Sequence, residues 1–284
     1  MDKNKRNNII KAIAAGAVYA VFFKLTSMIF SRAFPGSPYN GITVRVICTA
    51  FLLILVFALH RKDIFKNKTK GFLSTFAVAG IEIGVIILGL LQFVFSFTDP
   101  NDVSKFMSAD EIKGSLVPAA RIAVMITEML LVGISEELIA RGLVLSFAHE
   151  AFGSDTKKGA YLTAALSGMV FGCLHLLNLF GTSNKGAVLI QVAATACVGF
   201  YWGAVFLRKR NIFALMLLHA VSDITAFLSK GFATGQADTR SAIDSTNAYV
   251  LILAAVYVAA GIYLLRDEKM HCSDSKAVTA NAAV

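Results

Sequence analysis

The chain alternates between apolar blocks and short polar loops. Each block approaches the roughly 20 residues that an α-helix needs to cross a bilayer. Eight blocks are read as helices: 9–30, 42–60, 72–97, 116–135 (continuing as helix to about 148), 160–180, 187–207, 212–229 and 248–265. The pattern predicts an all-α, polytopic helical membrane protein with about eight transmembrane helices. It predicts one transmembrane domain over 1–265. The polar, small-residue-rich stretch 266–284 is expected to be a disordered tail. Lys11 and Lys24 in the first block must snorkel or face protein.

Composition narrows the class. Of 284 residues, 56% are hydrophobic and 16% charged, where a soluble domain carries about a quarter charged residues. The net charge of +9 does not indicate nucleic acid, because the basic residues fall mainly in the short loops. Their excess on alternate loops places both termini in the cytoplasm, in the cell membrane. Cys48, Cys173 and Cys197 lie in apolar blocks without a CxxC pair, and packing is the expected role. Trp202 and Tyr161, near the ends of their blocks, suit an interfacial aromatic belt. Ser108 and Glu111, in the loop 98–115, match capping-box spacing. The loop 230–247 is rich in Gly, Ser and Thr and is expected to be flexible.

The candidate chemistry sits in LVGISEELIARGLVL, residues 131–145. An ionisable side chain at membrane depth costs about 3 kcal/mol on insertion scales, so Glu136, Glu137 and Arg141 together need a buried purpose. Glu137 and Arg141 are four apart and can pair on one helix face. Glu136 points about 100° away and has no such partner on its own helix. A partly desolvated carboxylate there could face a polar cavity and exchange protons. His219 and Asp223 are also four apart, and Phe171 lies one turn before His175. Helix rise puts Glu136, His175 and His219 at overlapping depths, roughly 10–20 Å from one surface, so their helices can enclose one intramembrane cavity. Among the other charges, Arg45 and Arg121 lie close enough to block ends to snorkel. Glu82 and Glu128 are harder to dismiss, and Glu128, two turns before Glu136, is the reserve candidate.

Glu136-Glu137-x-x-x-Arg141, Phe171-x-x-x-His175 and His219-x-x-x-Asp223, in that order on three membrane helices, resemble the CAAX protease and bacteriocin-processing (CPBP, or Abi) family of intramembrane proteases. The resemblance covers about 116–230, the catalytic core it implies, and it implies an endopeptidase that hydrolyses a peptide bond of a membrane-associated peptide or protein, prenylated or a leader peptide. It implies Glu136 as the general base on water, assisted by His175. His219 and Asp223 would stabilise the oxyanion, with Glu137, Arg141 and Phe171 supporting the site. The family often has Asn where this chain has Asp223. An ionised Asp cannot donate to an oxyanion, which leaves it protonated, orienting His219 or touching a metal. Glu136, His175, His219 and Asp223 would be the ligands if zinc or another divalent metal takes part. That question stays open here, since no HExxH spacing occurs.

Two other classes compete. A non-catalytic membrane partner, such as a bacteriocin-immunity or scaffold protein, would keep the fold without the reaction. A proton-coupled transporter would also bury Glu and His, but the chain shows no repeated halves of the kind transporters often carry.

Overall fold

The computed structural model describes residues 2–67, 69–96, 118–234, 243 and 246–266. The capping box at Ser108 and Glu111, most of the loop 230–247 and nearly all of the 266–284 tail lie outside these residues. Regular structure among them is helical throughout. In chain order the helices are α1 (Lys3–Ala33), α2 (Asn40–Ala58), α3 (Phe72–Val78), α4 (Gly80–Ser96) and α5 (Pro118–Glu137). They continue with α6 (Leu145–Phe152), α7 (Lys157–Leu174), α8 (Lys185–Lys209), α9 (Ile212–Thr234) and α10 (Val250–Leu264).

Every predicted block is helical over most of its described residues, and local chemistry accounts for several ends. The side chains of Thr156 and Asn184 accept the Gly159 and Ala187 amides at the starts of α7 and α8. Asn211 does the same for Ala214 at the start of α9. These are N-caps that fill otherwise orphaned donors. Gly153, at φ +68°, stops α6, a conformation in which glycine meets no Cβ penalty.

Three of the blocks are not simple rods. The third breaks between α3 and α4, which meet at 79° across Ala79 and Gly80. The fourth runs on past α5 through a π-helical segment, Leu138–Val144, into α6, ending at Phe152 and not near 148. The fifth tightens from α7 into a 3-10 helix at His175–Phe180. By length and composition, four helices among the described residues can cross a membrane: α1, α2, Lys157–Phe180 and α8, or five if the bent α3–α4 pair forms one span. Ile212–Leu228 and Val250–Leu264 are apolar but shorter. The molecule is an all-α polytopic membrane protein in which fewer than eight helices are full straight spans among the described residues.

Packing is tightest where side chains are small. Helix α7 runs along α8, α9 along α5, and α10 along α8. At Gly133 of α5, an added Cβ would lie 2.8 Å from both the Ala220 amide nitrogen and the Met216 carbonyl oxygen of α9. At Gly168 of α7 it would lie 2.5 Å from the Phe200 amide nitrogen of α8. Small residues let membrane helices touch backbone to backbone, and these contacts bring α5 and α9 together beside Glu136 and His219. Gly133→Val is therefore expected to force the two helices apart. The cost should be about 1–3 kcal/mol or more, as for overpacked cores. A lower unfolding midpoint in detergent, together with loss of any activity of the site, would be the observation.

Candidate active site

The three sequence motifs meet. Glu136 and Glu137 end α5, Arg141 sits in the π-helical segment, and all seven residues of that segment are buried. Such segments recur at functional sites in helical proteins. Glu137 is the hub: its Oε1 accepts from Arg141 Nη1 at 2.9 Å and lies 3.0 Å from His219 Nδ1. Arg141 Nη2 donates to the Gly199 carbonyl of α8 at 2.9 Å. Both Glu137 and Arg141 side chains are wholly buried. The Arg141 guanidinium also lies over the rings of Phe171 and Trp202, at 5.4 and 5.6 Å from their centroids, so cation–π attraction adds to the ion pair.

On its other edge, His219 Nε2 lies 3.5 Å from Asp223 Oδ2 and 3.8 Å from Glu136 Oε2. His219 thus has a carboxylate at each ring nitrogen. Because the Glu137 carboxylate can only accept, Nδ1 is the donor on that side. Phe171, which is buried, sets an edge against both imidazoles, 5.3 Å from His175 and 6.1 Å from His219 between centroids. His175 caps α7, with Nδ1 3.2 Å from the Phe171 carbonyl oxygen. Phe171, with its ring against both imidazoles, joins it to the cluster. Glu136 keeps 16% of its side chain exposed and Asp223 26%, while His219 keeps 5%. The more accessible edge of the cluster is therefore the Glu136–Asp223 side.

Two residues that the sequence placed elsewhere belong here. Arg45 of α2 does not snorkel: its Nη1 donates to Glu136 Oε1 at 3.2 Å, with Tyr19 and Ser135 hydroxyls at 3.5 Å. Its guanidinium also lies over the Phe23 ring. Glu136 therefore has an ionic partner after all, supplied by another helix. Trp202 is 3% exposed and packs its indole 4.3 Å from the His219 ring centroid, so it is no interfacial belt residue. Glu128, the reserve candidate, is half-buried against Gly41 and feels the charge of Arg45. Of the cysteines expected to pack, Cys48 is buried, Cys197 half-buried and Cys173 exposed. Lys24 faces the Phe180 ring and Lys11 the Phe147 ring, the protein-facing outcome for both.

The proposed metal set does not fit a divalent ion in this arrangement. Glu136, Asp223 and His219 approach one another, but among the described residues no group of three or more His, Cys, Asp or Glu is placed so that it could hold a metal ion. The Arg45 guanidinium also occupies one oxygen of Glu136, placing a positive charge where a cation's ligand would be needed.

A polytopic helical membrane protein with a buried Glu–Arg–His cluster is the class that fold and site define. Residues 118–225 match the family described as type II CAAX prenyl endopeptidase Rce1-like. That stretch of the integral membrane protein contains every residue of the three motifs. No curated protein and no solved structure matches the chain.

Proposed function

We propose that the protein is an intramembrane endopeptidase in which Glu136 activates water against a peptide bond of a membrane-associated substrate. The observation that carries this reading is the approach of Glu136, His219 and Asp223, drawn from two helices at 3.5–3.8 Å around His219 Nε2, inside the Rce1-like stretch. Arg45 holds Glu136 Oε1, which leaves Oε2 to take a proton from water. The hydroxide attacks the carbonyl carbon as that proton moves to Glu136. With Nε2 protonated, His219 donates to the tetrahedral oxyanion, the role of a preorganised donor. Until the oxyanion forms, Asp223 draws that N–H toward itself from 3.5 Å and so orients His219, which gives an ionised Asp a use at a position where it cannot donate. The proton on Glu136 then passes to the leaving amine, and His175 assists on the other side of the site.

Glu137, Arg141 and Phe171 keep His219 in place. We place this chemistry in one transmembrane domain spanning 1–265, with both termini on the cytoplasmic side of the cell membrane. The substrate is a peptide or protein held at the bilayer, prenylated or a leader peptide.

The test is hydrolysis of internally quenched peptides, prenylated and unprenylated, by purified protein in detergent and in liposomes. Cleavage is expected, and it should persist with a metal chelator, because the side chains form no ligand set. Failure to cut any peptide in either setting would sink the protease reading. A proton flux in liposomes without cleavage would favour a transporter.

A further inference from the structure

A second buried polar cluster lies beside the first, outside all three motifs. Glu82, in the first turn of α4 just after the 79° bend, is 1% exposed. Its carboxylate accepts three hydrogen bonds: Trp202 Nε1 at 3.1 Å and Tyr257 hydroxyl at 2.8 Å on Oε2, and Ser222 hydroxyl at 2.5 Å on Oε1. The donors come from α8, α10 and α9. Three donors on one buried carboxylate offset much of its desolvation, so the chain can keep the charge-bearing group at this depth.

Two of the three bonds lead to His219. Trp202 lays its indole against the His219 imidazole, 4.3 Å between centroids at 62°. Ser222 lies one helical turn after His219 and directly before Asp223 on α9. The bond from His219 Nδ1 to Glu137 fixes one atom of the imidazole, and the Phe171 edge lies against the ring. An indole held at its far end by Glu82 supplies a further constraint on the plane of the ring, and the Ser222 bond sets the rotation of α9 that aims His219 and Asp223 together.

We propose that Glu82 is a positioning residue that, through Trp202 and Ser222, fixes the plane of His219 so that Nε2 faces Glu136 and Asp223. The use of that position in peptide hydrolysis rests on the function proposed above. The plainer alternative is a knot that ties α4, α8, α9 and α10 together without bearing on the reaction. It predicts loss of stability alone.

Trp202 is the single tryptophan of the chain, so intrinsic emission reports on this contact directly and needs no substrate. The full-length protein in detergent would be compared with Glu82→Leu, His219→Asn and the double variant. Leu has no acceptor for the indole, whereas Gln would keep one. His219→Asn is expected to change Trp202 emission in the parent, where the imidazole lies on the indole, and to change it little once Glu82→Leu has released the indole. An equal change in both backgrounds would overturn the proposal. On activity, Glu82→Leu and Trp202→Phe should each lower kcat on the order of 10- to 100-fold, the scale of a small misplacement of a reacting group, with KM nearly unchanged. Their combination should be no worse than the stronger single change, since residues acting along one path are not additive. Trp202→Phe keeps the Glu82 carboxylate and its other two donors, so it stays readable if Glu82→Leu folds poorly. Normal kcat in folded Trp202→Phe would overturn the proposal. If the parent cuts no peptide, the protease reading fails by itself and the emission cycle still decides the arrangement.

Discussion

Glu136→Gln is expected to reduce peptide cleavage by about 100- to 10,000-fold, the range contributed by a positioned general base, while leaving the protein folded and inserted. The substitution removes the proton acceptor and little else. Gln has nearly the same volume, and its carbonyl oxygen can still accept from Arg45 Nη1, the bond now made at 3.2 Å. Arg45 keeps an acceptor and His219 keeps Glu137 and Asp223, so the unfolding midpoint should stay close to that of the parent. KM should also change little, because the interaction lost develops with the proton in the transition state and does not hold the ground state. Turnover in the variant equal to the parent would remove Glu136 from the catalytic role and leave Glu128, the other carboxylate near Arg45, as the residue to examine. Loss of cleavage accompanied by loss of the folded protein would show instead that the Arg45–Glu136 pair is a structural contact.

The parts of this site legible in the sequence are those made within one helix. Glu137–Arg141 and His219–Asp223 are i,i+4 pairs, and that spacing alone makes them neighbours. The cost of ionisable groups in apolar blocks then marks them as a site, since membrane burial makes a lone charge improbable. The residues that escaped are those whose partners sit on another helix. Arg45 lies within two turns of the start of α2, where snorkelling is the economical reading. Its real partner, Glu136, is 91 positions away. Trp202 sits near the end of α8, where an aromatic belt is usual, yet α9 and α4 cover it. Helix breaks were equally hidden: the α3–α4 bend and the π-helical segment fall inside stretches as apolar as their neighbours. Glycine spacing was the available sign of close approach, but Gly133 and Gly168 acquire meaning only when the facing helix is known.

Arg141→Met should be the most damaging single change for stability, at about 3–5 kcal/mol, because removing one member of a buried pair strands the other. Glu137 would keep only His219 Nδ1 on Oε1, and the Gly199 carbonyl would lose its donor. The intact pair is itself incompletely satisfied. Glu137 Oε2 and Arg141 Nε are buried without a hydrogen-bond partner among the described residues. A buried ion pair with unfilled positions gains little net stability over packed apolar side chains, so the double variant Glu137→Met, Arg141→Met is expected to recover much of what the single change loses. Activity should behave in the opposite way. With Glu137 gone, His219 Nδ1 has no acceptor and the ring is no longer aimed at Glu136 and Asp223, so the double variant should be stable and inactive. Unfolding titrations in detergent read the first quantity and kcat the second. Recovery of both together would mean that Glu137 is ballast for Arg141, and that His219 takes its orientation from Trp202 and Asp223 alone.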